Sequence, residues 1–176
     1  MKKKFIIFLF FYFCINHLTA EEFNIAAYEV NYLNNENKII AIGDVVAKDN
    51  TGIIIYSDKA TYLKDDQIII SEGNVKAINI NSTEINARKI IFNKKKNIIT
   101  AYGNVQIIES NQIDKLISEK AEYNLNNTIF KTFDETYVYL KNKYSIIKNN
   151  IIYDKKNNII LSRFKTDVYD NDNNHV

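Results

Sequence analysis

Two suitably spaced carboxylates can act as acid and base in glycoside hydrolysis, and Asp65, Asp66, Glu109, Glu119 and Glu122 could supply such a pair. Solvated turns and outward strand positions account for all five more simply. Nucleophilic hydrolysis needs a Ser or Cys beside a His. The chain has one cysteine, Cys14, and two histidines, His17 near the start and His175 next to the last residue. Zinc and copper sites draw on clusters of His and Cys, and these residues form none. Phosphate-cradling loops place glycines ahead of a helix, whereas Gly43, Gly73 and Gly103 fall inside alternating, strand-like segments. The run Lys94 to Lys96 reads as a solvated hairpin tip. No catalytic residue, metal or cofactor is expected.

What remains is apolar surface and the elements that present it. The 176 residues are 46% hydrophobic and 25% charged, enough for one ordered domain of modest core. Met1-Lys2-Lys3-Lys4, the apolar run Phe5 to Leu18 and then Thr19-Ala20-Glu21-Glu22 have the form of a secretory leader, with cleavage expected after about Ala20. A retained membrane anchor fits less well, because the run is short and holds Asn16 and His17. Cleavage removes Cys14 and leaves an exported chain without disulfides, held by strand pairing and apolar burial. It also leaves 20 basic against 21 acidic residues. That balance gives no support to nucleic-acid binding.

A unit of about thirty residues recurs through the chain. Gly43, Gly73 and Gly103 are each followed by Asp or Asn and then Val. The aromatics Tyr32, Tyr62, Phe92, Tyr123 and Tyr153 keep nearly the same step, each seven positions after an aliphatic: Ile25, Ile55, Ile85, Leu116 and Ile146. A unit this small cannot cover its own apolar face and must stack on copies of itself. Apolar residues alternate around each glycine, as in a strand with one face buried: Ile39, Ala41, Gly43, Val45, Ala47; Ile69, Ser71, Gly73, Val75, Ala77; Ile99, Ala101, Gly103, Val105, Ile107. In the strand before, the buried parity changes between Ser57 and Ala60. A bulge or bend is therefore expected near Asp58-Lys59, and again at Arg88-Lys89 and Glu119-Lys120. The three glycines are expected to face inward, as a pinch where backbones approach or a sheet turns a corner.

Glu21 to Tyr32 reads as a truncated first copy whose starting strand is an open edge. The glycine position becomes Asp134 and then Phe164 in the last copies. These boundaries give a leader over 1–20, a β domain over 21–166 and a polar, disordered tail over 167–176.

Strands of the form A-x-G-x-V, at Ala41 to Val45 and Ala101 to Val105, alternate with Ser57-Asp58-Lys59-Ala60-Thr61-Tyr62. This combination resembles the OstA-like domain of lipopolysaccharide transport, found in LptA and in the N-terminal part of LptD, with a fold shared by LptC. The resemblance covers about residues 23 to 140, with Ser71 in place of the alanine of the second copy. It implies an all-β, elongated, slightly open antiparallel β-jellyroll that shields lipid A acyl chains of lipopolysaccharide in an apolar groove. On that basis Phe23, Ile25, Ile39, Val45, Ile53, Ile55, Tyr62, Val75, Ile85 and Val105 would line the groove. Partners would be LptC-like and LptD-like jellyroll domains, or further copies of this chain, docked strand to strand in the periplasm and reaching toward the outer membrane. Without the strand-rich continuation of an outer-membrane barrel, LptA and a free-standing N-terminal LptD domain both fit.

A rival from another class is a parallel β-helix that binds or degrades polysaccharide. The turns Asn34 to Asn37, Lys64 to Gln67 and Asn93 to Asn97 look like hairpin tips between antiparallel neighbours, which favours the jellyroll.

Overall fold

The computed structural model describes residues 23–109, 113, 115–140, 144–162, 167–170 and 174. The leader expected over 1–20 and the last glycine-equivalent position, Phe164, lie outside them. Six long strands carry the repeat: β3 (Lys38–Asp49), β4 (Ile54–Leu63), β5 (Ile68–Ile78), β6 (Glu84–Asn93), β7 (Ile98–Ile108) and β8 (Lys115–Asn124). Before them come β1 (Phe23–Ala26) and β2 (Glu29–Leu33), then a short 3-10 turn at Asn34–Glu36. After them come β9 (Ile129–Thr132), β10 (Glu135–Leu140), β11 (Tyr144–Asn149), β12 (Ile152–Asp154), β13 (Ile159–Leu161) and β14 (Asp167–Asp170). All fourteen belong to one sheet, and the pairings are antiparallel. The sheet is not closed into a barrel, and the antiparallel pairing removes the parallel β-helix. β14 pairs with β11 and extends the sheet into the stretch read as a disordered tail.

Register explains the bend foreseen in each unit. Ile42 pairs with Lys59 and Val45 with Ser57, so Gly43 and Asp44 together face Asp58 alone. Gly73-Asn74 face Arg88 in the same way, and Gly103-Asn104 face Glu119. Each pair is a two-against-one bulge, which increases local twist and turns the strand. Both of its residues adopt positive φ, +74° for Gly73 and +44° for Asn74, a region that only Gly, Asn and Asp visit readily. Successive bulges line up across β3 to β8 as a crease.

The crease divides every long strand between two walls. On the first wall the later halves of β3, β5 and β7 alternate with the earlier halves of β4, β6 and β8; β1 joins beside β3, and β10, β11 and β14 follow β8. On the second wall lie the remaining halves, with β2 beside β3 and β9, β12 and β13 beyond β8. Asp49 ends β3 at one margin of the sheet, whereas Lys94 follows β6 at the opposite margin. Their 2.5 Å ion pair therefore requires the sheet to be folded double along the crease.

The glycines do not face the interior as expected. A Cβ on Gly73 would stand 2.9 Å from the Cβ of Asp58, and one on Gly103 would stand 2.9 Å from the Cζ of Arg88. Asp58 and Arg88 are exposed side chains on the outside of the crease. They lie over the glycine of the following strand, where Asp58 also accepts a 2.9 Å hydrogen bond from Nδ2 of Asn74, and Arg88 meets Glu119 at 3.5 Å. The glycines serve close approach at the crease, but on its outer side.

Candidate functional site

Alternation along the strands sends one row from each wall into the space between them. Of the residues expected to line a groove, Phe23, Ile25, Val45, Ile55, Val75, Ile85 and Val105 stand on the first wall, Ile39 and Tyr62 on the second. Ile53 sits in the turn before β4. All are buried except Ile25 and Ile39, which are half-buried against the same cluster. The fold thus brings the ten together in one continuous apolar cluster.

That interior is occupied by its own side chains. The ring of Phe23, from the first wall, meets Tyr62 at 4.9 Å and Phe92 at 5.8 Å between centroids, both from the second. Farther along, Tyr123 stacks on Phe130 at 4.0 Å, and Phe130 on Tyr153 at 5.9 Å. Edge and offset ring contacts of this kind are favourable beyond the area they bury. The residues expected to line an apolar groove therefore pack on one another as a core.

Opposite the crease, the free margins of the two walls meet in a mouth bridged by three rungs. On the first wall stand Asp49, Asn79 and Glu109, spaced by the repeat. On the second stand Lys94, Tyr123 and Lys155. Asp49 accepts from Lys94 at 2.5 Å, from the hydroxyl of Thr51 at 2.5 Å and from the amides of Thr51 and Ile53 at 2.9 and 2.8 Å. Glu109 pairs with Lys155 at 2.8 Å and accepts from Thr83. Asn79 donates to the Tyr123 hydroxyl at 3.3 Å. The two carboxylates are 0% and 2% exposed and their lysines 12% and 11%, so both ion pairs are buried. Lys94 is not the solvated tip expected of it, and Glu109 is not a solvated turn carboxylate.

Electrostatics follow from this burial. Desolvation alone would raise the Asp49 pKa, but Lys94, Thr51 and the Ile53 amide outweigh it and hold the carboxyl below its ordinary value. Burial, reinforced by the charge of Glu109, pushes the Tyr123 and Tyr153 hydroxyls up. The hydroxyls of Tyr153, Ser57 and Ser71 are buried without a hydrogen-bond partner.

Consecutive second-wall turns hold one another in line. The amides of Lys64, Lys94, Leu125 and Lys155 donate to the carbonyls of Asn37, Gln67, Asn97 and Thr128, at 2.9 to 3.1 Å. Asn37, Gln67, Asn97 and Thr128 all have positive φ. The ladder fixes the first residue of each turn at the lip of the mouth. Sequence reasoning missed the rungs, although the equal spacing of Asp49, Asn79 and Glu109 was a signal that could have revealed them.

Among the described residues, no group of three or more His, Cys, Asp or Glu is placed to hold a metal ion. No helix among them is long and apolar enough to cross a membrane.

Among solved structures, LptH of Pseudomonas aeruginosa is described as the LptA homologous periplasmic component of the conserved lipopolysaccharide transport device. It aligns over 85% of this chain and 97% of its own, with 12% identity and a TM-score of 0.37. No curated protein sequence matches this one. Residues 13–108, more than half of the 176, match the model of a family described as lipopolysaccharide-assembly, LptC-related. By that match the chain belongs to the LptC-related lipopolysaccharide-assembly family.

Proposed function

We propose that this chain is a periplasmic, non-enzymatic component of a lipopolysaccharide-transport bridge, taking lipid A acyl chains between its two walls. The observation that carries this is that the family match spans the same residues that form the crease and most of both walls. A largely apolar interior between the two walls of one folded sheet suits alkyl chains, which bind through excluded water rather than through placed polar groups.

Docking to LptC-like or LptD-like jellyroll domains would use the end strands. Among the described residues, β1 and β2 at one end and β13 and β14 at the other each have a neighbour on one side only. Such edges accept an added strand. β2 exposes more apolar surface than β1, with Tyr28, Val30, Tyr32 and Leu33 exposed in and around it.

Photo-crosslinking tests the proposal. Probes at Ile25, Ile55 and Val75 should capture lipopolysaccharide, whereas probes at Lys76 and Asn104, on the outer face, should not. Equal capture at both sets rejects binding between the walls.

A second reading concerns attachment. A retained apolar run would tether the chain to a membrane, whereas cleavage after about Ala20 would release it. Sequencing the N-terminus of the exported protein separates the two.

A further inference from the structure

We propose that the mouth is a side entrance for alkyl chains, held shut by the Asp49–Lys94 and Glu109–Lys155 ion pairs and opening first between them, at Asn79 and Tyr123. The identity of the ligand rests on the function proposed above; the opening itself does not.

The interior is filled, so a chain can enter only where the walls part. The crease is covalently continuous, whereas the mouth is joined by three side-chain rungs. The outer two rungs are buried ion pairs; the middle one is a single 3.3 Å contact between neutral groups. A buried ion pair adds little net stability over apolar packing, yet it is costly to break one partner at a time. It therefore specifies one closed geometry and releases it as a unit when both groups are rehydrated.

The sequence departs from its own repeat at the middle rung. Lys64, Lys94 and Lys155 begin three second-wall turns, and Leu125 stands at the equivalent position of the fourth. Beside it lies an opening of about 220 Å³ bordered by Ile53, Ile80, Asn81, Leu125 and Asn126. Ile80 on its lip is 77% exposed. An uncharged lip, where Ile53, Ile80 and Leu125 stand among asparagines and threonines between two ionic closures, lets a hydrocarbon tail pass without stripping water from a cation. The crease opposite supplies the pivot, since each bulge sets two residues against one and leaves the ladder locally interrupted.

The test labels Asn81→Cys and Asn126→Cys, facing across the opening, in a Cys14→Ser background. Nitroxide distances are read by dipolar spectroscopy in this chain and in one carrying Asp49→Asn, Lys94→Met, Glu109→Gln and Lys155→Met. These four substitutions remove both ion pairs without leaving a buried charge. A longer-distance population should appear on release, and an unchanged distribution overturns the latch. Uptake of cis-parinaric acid should be about tenfold faster in the released chain, as the open fraction rises. It should be about tenfold slower when a bismaleimide staples the two cysteines of the otherwise native chain. Uptake that ignores the staple overturns the side entrance even if the four-fold variant fails to fold. Absence of uptake in every chain refutes lipid binding, while the distance measurement still decides the latch.

Discussion

The ammonium of Lys94 lies 2.5 Å from Oδ2 of Asp49, across the mouth and 45 residues along the chain. Because the Asp49 side chain is fully buried, Lys94→Met strands a carboxylate away from water and should cost about 3–5 kcal/mol of stability. Lys95→Met, one residue on and exposed, should cost less than about 0.5 kcal/mol. Urea denaturation of the two variants measures the difference.

The same carboxylate sets an acid limit. Its pKa is held below the ordinary value in the folded state, so the stability it contributes is complete above the unfolded pKa of about 3.9 and is lost as pH falls through the folded value. Denaturation midpoints should therefore drop below about pH 4. Asp49→Asn should flatten that part of the profile.

At the crease, Gly73→Ala meets two obstacles: a φ of +74° and the Cβ of Asp58 at 2.9 Å. The expected loss is about 1–3 kcal/mol. Gly52→Ala, where the nearest atom stands at 3.6 Å, should lose only the backbone share. Asn74→Gly should be close to neutral and Asn74→Val destabilising, since Asn74 also holds positive φ. Thermal unfolding ranks the four.

Ser71 replaces the alanine of the repeat, and its buried hydroxyl has no partner. Ser71→Ala should stabilise the fold by about 1 kcal/mol, because it removes an unsatisfied polar group at no cost in packing. A loss of stability in calorimetry would mean that the hydroxyl has a partner after all.

Much of this architecture was legible in the sequence, and the parts that were not share a cause. The thirty-residue spacing gave the two-strand unit, the polar turns gave its antiparallel pairing, and period-two alternation gave the interior rows, because all three are local properties of strands and the turns between them. The direction of Gly43, Gly73 and Gly103 was misread for the same reason. Counting by twos carries parity through a position where two positive-φ residues turn the backbone, and the side that should have been inward becomes outward. Lys94 and Glu109 were misread because their surroundings in sequence are those of a solvated turn. Their partners lie one and a half repeats away on the facing wall, a distance fixed by the fold-over and by no spacing within a unit. The space beside the small residues Ala41, Ser71 and Ala101 is filled by Phe23 from the facing wall and by Phe92 and Phe130 from their own, contacts that no spacing within a unit announces.

Because each copy of the unit adds two neighbouring strands to the same sheet, the molecule can lengthen only in increments of about 9.5 Å, twice the spacing between strands. Duplication or loss of one copy would leave cross-section, crease and rung pattern intact while changing the end-to-end reach. The number of copies then acts as a ruler, and a distance becomes a heritable integer.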